Sequence, residues 1–154
     1  MAPLPQNLVF TRAESSETYA LTELAQSARA TIGVSSEQIV AWDEEILIDP
    51  VFFQSHVVWT LTDRGTLVGW GAWIGRGRRC RLEHLWIRPE RQRQGLGRLM
   101  LIHLAQDARA AGWLSLEFVA APSAVPFYRA CGARAAGVVE GRPGRILPVM
   151  VLEL

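Results

Sequence analysis

The segment from Leu82 to Gly112 constrains the fold more than any other part of this sequence. An apolar-rich run ends at Ile87, glycines follow at positions 95 and 97, and apolar residues then recur four positions apart from Leu96 onward. This order predicts a strand, a glycine loop and a helix. Glycines let a loop backbone approach an anion closely, and the first N–H groups of a helix have no partners within it. The segment therefore predicts a site for a phosphate-bearing ligand.

The glycine loop itself narrows the choice of ligand. It consists of Gln92, Arg93, Gln94, Gly95, Leu96 and Gly97, and it is flanked by Arg91 and Arg98. A dinucleotide-binding fingerprint needs a third glycine where Met100 stands, and a P-loop needs a Gly-Lys-Ser/Thr sequence that is absent. The loop therefore disfavours a dehydrogenase or a kinase, while the arginines near the helix start favour an anion.

The strand before the loop contains a conflict in its side-chain pattern. Leu82, Leu85 and Ile87 are all apolar, but a regular strand places Leu82 on the face opposite to the other two. One extra residue near Glu83 to Leu85 would return all three to the same face. The sequence therefore predicts a β-bulge at this position.

The rest of the chain predicts alternating helices and strands in one domain, residues 1–154. The first helix carries Tyr19, Leu21, Leu24, Ala25 and Ala28 and ends near Gly33, and a second runs from Ser35 to about Leu47. A short helix carries Phe127 and Tyr128 and closes at Cys131-Gly132. The predicted strands besides the one ending at Ile87 are Leu8 to Arg12, Val57 to Thr62, Thr66 to Ile74, Leu114 to Val119, Ala135 to Glu140 and Leu147 to Leu154, with Asp63-Arg64-Gly65 as a hairpin turn.

Composition excludes several classes of protein. About half of the residues are apolar (49%), 20% are charged, and the formal net charge is +1, so neither a disordered chain nor a nucleic-acid partner is expected. Cys80 and Cys131 belong to no metal-ligand or redox spacing, so we expect free thiols and no metal. No apolar run is long enough for a membrane span or a leader sequence, so we expect a cytoplasmic protein.

Three motifs together resemble the GNAT superfamily of N-acetyltransferases. The family motif Q/R-x-x-G-x-G/A is matched by Gln92, Gly95 and Gly97; Leu85-Trp86-Ile87-x-Pro89 resembles the fourth strand and its exit; and Ala124-x-x-Phe127-Tyr128-x-x-x-Gly132 resembles a later family segment. The matched region covers about residues 66 to 133. The resemblance implies an α+β fold with a central, mixed, mostly antiparallel twisted sheet of about seven strands, a splayed fourth and fifth strand, and about four helices.

The resemblance also implies acetyl-CoA as co-substrate. Its pyrophosphate would lie on the glycine loop, including Arg93, Gln94, Leu96 and Arg98. Its pantetheine arm would pair with the backbone of Leu85, Trp86 and Ile87, and Phe127 and Tyr128 would complete the site. The acetyl group would pass directly to a primary amine of a small molecule or peptide. A catalytically silent acyl-CoA-binding module is the alternative.

Three residues are candidates for proton transfer. The resemblance places Tyr128 where it would protonate the departing thiolate. The alternative is that Tyr128 only packs in the core. Glu83 and Glu117 interrupt strands beside the expected cleft, and either is a candidate base or an arginine partner. Glu83 is slightly favoured because a bulge redirects side chains into sites. Alternation from Glu83 puts His84 on the opposite face, as a core or surface histidine.

Other features bear on packing and partners. Ala121 and Ala133 replace residues that many relatives use for pantetheine binding and packing. Acidic residues before the second strand suit a cationic amine or simply a solvated surface; they are Glu37, Asp43, Glu44, Glu45 and Asp49. The apolar last strand, Leu147 to Leu154, predicts an edge that pairs in a homodimer.

Overall fold

Seven strands form one sheet in the computed structural model, which describes residues 7–30, 48–140 and 143–154. They are β1 (Leu8–Arg12), β2 (Val57–Asp63), β3 (Thr66–Arg76), β4 (Arg79–Ile87), β5 (Ser115–Val119), β6 (Arg134–Glu140) and β7 (Ile146–Glu153). Their order in the sheet is β1-β2-β3-β4-β5-β7-β6. Only β4 and β5 are parallel, and every other pair of neighbours is antiparallel. The predicted fold class, a mixed and mostly antiparallel sheet, is confirmed.

Four α-helices occur in the described part of the chain. They are α1 (Thr18–Arg29), α2 (Phe52–Ser55), α3 (Leu96–Ala110) and α4 (Val125–Ala130). Three of them lie where the sequence predicts a helix. Helix α2 was not predicted because a single turn has no periodic pattern to detect. The helix predicted from Ser35 to about Leu47 lies outside the described residues. No helix among those described is long and apolar enough to cross a membrane.

Helix α1 covers one face of the sheet. Its buried side chains are Leu21, Thr22, Leu24, Ala25 and Ala28, and most of them pack on Val58, Trp70 and Ala72. The Trp70 indole Nε1 donates a hydrogen bond of 2.9 Å to the Leu21 carbonyl oxygen, which ties this helix to β3. Tyr19 is 83% exposed, so its predicted place in the apolar stripe is wrong. Tyr19 lies two positions before Leu21, about 200° around the helix, so its side chain is on the opposite face.

Helix α3 covers the other face. The predicted stripe is confirmed: Leu96, Met100, Leu104 and Ala108 are all buried, against a core that includes Leu61, Leu82, Leu116, Phe118 and Met150. Gly112 follows the helix with φ +100, the left-handed conformation typical of a helix end. The Asp107 carboxylate accepts hydrogen bonds of 3.0 Å from both Trp59 and Trp73, which fixes the helix to β2 and β3.

The predicted bulge in β4 is confirmed. Ala72 on β3 is paired with His84, and the next residue, Trp73, is paired with Leu82. Glu83 is therefore the extra residue, without a partner on β3. Leu82, Leu85 and Ile87 consequently all join the core under α3.

The last strand is not an edge of the sheet. Strand β7 pairs with β5 on one side and with β6 on the other, so the prediction that it is an edge available for a homodimer is wrong. The chain reverses after β6 and inserts its final strand between β5 and β6. Strand β6, whose seven residues are all exposed, forms the outer edge instead.

Candidate active site

The glycine loop between β4 and α3 has the backbone geometry of an anion site. Gly95 precedes the helix with φ +81, and a Cβ atom at this position would meet no protein atom within 4 Å. Arg93 also has a positive φ of 64. The loop therefore turns sharply just before the helix and leaves the space in front of the first helical N–H groups open. A pyrophosphate group fits this arrangement.

Side-chain hydrogen bonds hold the loop in this shape. The Gln92 amide donates to the Ile87 carbonyl oxygen at 3.1 Å. Arg91 donates to the Asp63 carboxylate at 2.9 Å and to the Gln94 amide oxygen at 3.0 Å. Arg91, Gln92 and Gln94 thus act as supports of the loop. Arg93 and Arg98, whose side chains are exposed, are the loop cations best placed to face an anion.

The second glycine of the loop is required by close packing. A Cβ atom at Gly97 would lie 3.3 Å from the Phe127 ring, so α4 rests directly on the start of α3 here. The Leu96 side chain is 1% exposed and belongs to the core. Leu96 and Gly97 can therefore offer an anion only their backbone N–H groups.

Beyond the loop, β4 and β5 separate. These parallel strands share a single residue pair, Arg81 with Glu117. The carbonyl oxygens of His84 and Trp86 lie against Gly71 and Gly69 on β3.

Because successive residues of a strand direct their N–H and C=O groups to opposite edges, the groups of Leu85 and Ile87 face the opening toward β5. The Gln92 hydrogen bond uses the Ile87 carbonyl on that side. Three residues are predicted to pair with a cofactor through their backbones. The backbone N–H and C=O groups of Leu85 and Ile87 face the opening, whereas those of Trp86 face β3.

Tyr128 lies on α4 against β5. Its ring packs on Phe118 at a centroid distance of 4.4 Å and on Phe127 at 5.1 Å. Burial raises the pKa of the hydroxyl well above its ordinary value, and nearby Cys131 adds to the effect. The phenol therefore keeps its proton at neutral pH. No hydrogen bond to this hydroxyl is formed within the described residues, so the group is available to a ligand.

Glu83 leaves the bulge toward the end of α2. Its Oε2 atom lies 2.8 Å from Nε2 of His56, and its side chain is 32% exposed. The hydrogen bond from His56 holds the pKa of this carboxyl below its ordinary value; burial opposes the effect, and the electrostatic influence of His56, His84 and Arg81 reinforces it. Glu83 is thus an ionised and accessible carboxylate.

Glu117 occupies the closed end of the same opening. It lies in the only residue pair that joins β4 and β5, and its carboxylate is 3.8 Å from the Arg79 guanidinium. Both features keep it away from the stretch where the strands diverge. Of the two candidate bases, Glu83 is the one beside the open part.

His84 follows Glu83 and is enclosed by aromatic rings. Its ring lies 5.4 Å from Phe52 and 4.9 Å from Trp70, and its Nδ1 accepts a hydrogen bond of 2.9 Å from the Trp86 indole. Burial lowers the pKa of His84 to about 4. Glu83 and His84 both contact the segment from Phe52 to His56. The predicted placement of these two residues on opposite faces is therefore wrong, because the bulge interrupts the alternation.

Comparison with known proteins agrees with this geometry. Residues 54–132, just over half of the chain, match the family model described as acetyltransferase (GNAT) domain. The chain belongs to the GNAT acetyltransferase family. The predicted family and enzyme class are thereby confirmed. No curated protein sequence is a significant match.

Solved structures with the GNAT fold cover almost the whole chain. The PaiA N-acetyltransferase of Thermoplasma acidophilum, in complex with coenzyme A, has a TM-score of 0.80 at 17% identity, covering 96% of this chain and 99% of its own. A GCN5-related N-acetyltransferase of Rhodopseudomonas palustris has a TM-score of 0.82 at 18% identity, covering 100% of both chains. The yncA protein of Salmonella typhimurium with its cofactor acetyl-CoA has a TM-score of 0.69 at 19% identity, covering 96% and 94%. These likenesses show a shared fold.

His56 is the residue of this GNAT site that sequence reasoning missed. It lies 27 positions before Glu83, between an unpredicted single-turn helix and β2, and no motif includes it. Its sequence context contains no signal, since the contact with Glu83 depends on the bulge. The acidic side chains predicted to attract a cationic amine lie outside the described residues, except for Asp49, whose carboxylate accepts a hydrogen bond from the Phe52 N–H at 3.1 Å.

Proposed function

We propose that this GNAT protein transfers the acetyl group of acetyl-CoA directly to a primary amine of a small molecule or peptide. The observation that carries the proposal is the opening between β4 and β5. It begins beyond the Arg81–Glu117 pair, presents the backbone of Leu85 and Ile87, and ends at the glycine loop. An extended thioester whose pantetheine arm leads to a pyrophosphate fits this arrangement. The arm would lie along the backbone of Leu85 and Ile87, and the pyrophosphate would lie at the glycine loop.

The chain's own residues supply the proton transfers in this proposal. Bound acetyl-CoA supplies an activated acetyl thioester. The Glu83 carboxylate binds the acceptor's ammonium group and removes a proton, directly or through water, so that the nitrogen lone pair becomes a nucleophile. Tyr128 donates its proton to the departing thiolate, because its hydroxyl is neutral and has no competing partner among the described residues. The second proton, which the nitrogen loses as the amide forms, then restores the Tyr128 hydroxyl, directly or through water.

The proposal is tested by following thiol release from acetyl-CoA with a panel of primary amines and peptides. We expect turnover with at least one acceptor. Tyr128→Phe should lower kcat ten-fold or more, because the thiolate then leaves without a proton donor. Tyr19→Phe is the matched control, since Tyr19 is 83% exposed on α1 and has no proposed role in the reaction.

Two results would contradict the proposal. Acetyl-CoA binding measured by calorimetry, combined with no turnover of any amine or peptide, would favour the silent module. An unchanged kcat in Tyr128→Phe, with the chemical step rate-limiting, would remove Tyr128 from the mechanism.

A further inference from the structure

We infer that His56 is a positioning residue that aims and anchors the Glu83 carboxylate at the acceptor site. The inference rests on the proposed role of Glu83 as base. His56 Nε2 and Glu83 Oε2 are 2.8 Å apart, and the His56 side chain is only 8% exposed whereas that of Glu83 is 32% exposed. The imidazole is thus enclosed, and the carboxylate that it contacts is partly open to solvent.

The His56 ring is fixed by three contacts with α2. It stacks on Phe52 with ring centroids 3.8 Å apart and planes 11° from parallel. Its Nδ1 lies 2.8 Å from Ser55 Oγ and 3.1 Å from the Phe52 carbonyl oxygen. Nδ1 is therefore directed into α2. His56 therefore cannot direct Nδ1 toward the acceptor amine while its Nε2 holds Glu83.

The contact with Glu83 sets the direction of the hydrogen bond. An ionised carboxylate only accepts, so His56 Nε2 carries the proton and donates it. Oε2 is occupied in this way, while Oε1 has no partner within the described residues. One oxygen anchors the side chain, and the other is available to an ammonium group or a water molecule.

The bulge explains why such an anchor is needed. Glu83 has no partner on β3, and its side chain leaves the strand at an irregular point of the backbone. A base has to be held within a few tenths of an ångström of its productive position. The rigid His56 ring supplies that restraint from a different element.

The proton transfer from the ammonium group to Glu83 requires no change in the protonation of His56. An N–H bond of the ammonium breaks, an O–H bond forms at Glu83 Oε1, and the electron pair stays on nitrogen for attack on the acetyl carbon. His56 keeps its Nε2 proton throughout. Glu83 afterwards releases the acquired proton to solvent.

The other described ionisable groups near Glu83 are few. Arg81 and His84 lie on the same strand, and Arg29 of α1 acts on His84. The His56 hydrogen bond is the largest influence that keeps the Glu83 pKa low, and burial is the main opposing one. Without His56, the largest influence that lowers the pKa of Glu83 is lost while burial still raises it. The pKa of Glu83 should therefore rise.

Carbon-13 NMR titration of the Glu83 carboxyl tests this directly and needs no acceptor. The signal is assigned by its loss in Glu83→Gln. We expect a higher titration midpoint in His56→Leu than in the native protein. His56→Gln keeps an N–H donor near the same point and should keep the midpoint low. His103→Gln, at a histidine that stacks on Phe10 away from this site, is the matched control. An unchanged midpoint in a folded His56→Leu variant would overturn the inference.

A kinetic double-mutant cycle tests the functional part, with acetyl-CoA and the fastest amine of the panel. We expect His56→Leu to lower kcat about ten-fold in the native background, with KM for acetyl-CoA unchanged, and His56→Gln to restore most of it. In a Glu83→Gln background, His56→Leu should cause no further loss. An equal loss in both backgrounds would overturn the positioning role. Full activity in Glu83→Gln would instead contradict the proposed base, and the NMR titration keeps these two failures apart.

Discussion

At the scale of single residues, His84 shows how one extra residue in a strand changes the chemistry of its neighbours. The bulge lets Glu83 and His84 both contact the segment around α2, one through His56 and the other through Phe52. The Glu83 carboxylate remains partly exposed, whereas the His84 ring is packed between tryptophans. Two adjacent titratable residues therefore have opposite environments: one ionised at neutral pH and one neutral.

The low pKa of His84 predicts an acid-sensitive fold. In the unfolded chain the imidazole has its ordinary pKa near 6.5, and in the folded protein the pKa is about 4. Between these values the unfolded state binds more protons, so stability is complete above pH 6.5 and is lost as the pH falls toward 4. The full loss from this residue is about 3 kcal/mol.

Urea unfolding at pH 7, 5.5 and 4 checks this prediction against His84→Asn. Asparagine retains an acceptor for the Trp86 indole but does not titrate in this range. The free energy of unfolding should fall less steeply with acidification in the variant. Parallel pH dependence in the two proteins would show that His84 is not the group responsible.

Sequence reasoning works unevenly at this scale. Gly95, Gly97 and Tyr128 belong to motifs whose spacing is local, so they are identifiable from the sequence. The contact between His56 and Glu83 joins residues from different elements across a bulge, and periodicity contains no information about it.

At the scale of elements, the glycine loop between β4 and α3 is held by hydrogen bonds on one side and faces unoccupied space at Gly95. Arg91 and Gln92 tie the loop to Asp63 and to Ile87, while Gly95 faces empty space. The positive φ of Gly95 makes the sharp turn possible without strain. The loop is thus shaped before any ligand binds.

Gly95→Ala should raise KM for acetyl-CoA about ten-fold, because a methyl group enters the space proposed for the pyrophosphate. Gly65→Ala is a closely matched control. Its φ is +79 against +81 for Gly95, and a Cβ atom added at either position would have no protein atom within 4 Å. Both variants should lose about 1 kcal/mol of stability from backbone strain. Equal KM values in the two variants would argue against an anion at the loop.

Elements with long repeats are predictable, and short or inserted ones are not. The four-residue spacing of α3 and the parity conflict in β4 both identify real features. Helix α2 has a single turn, so it produces no periodic signal. The place of β7 between β5 and β6 is a property of chain topology, and its apolar pattern fits an inner strand as well as an edge.

At the scale of the whole molecule, the site follows from the strand order. The sheet contains one parallel pair, β4 and β5, and these strands are joined through α3 rather than by a hairpin. The glycine loop therefore lies at the open end of the separation between β4 and β5. Helix α4 carries Tyr128 to one side of this separation, and the segment around α2 carries His56 to the other side.

Amide chemical shifts during titration with coenzyme A test this placement most directly. Coenzyme A is used because it occupies the donor site without turnover. We predict the largest changes at the amides of Leu85, Ile87, Gly95 and Gly97, with a smaller change at Trp86, whose N–H faces β3. Saturation with coenzyme A that leaves the Leu85 and Ile87 amides unmoved would contradict binding between β4 and β5.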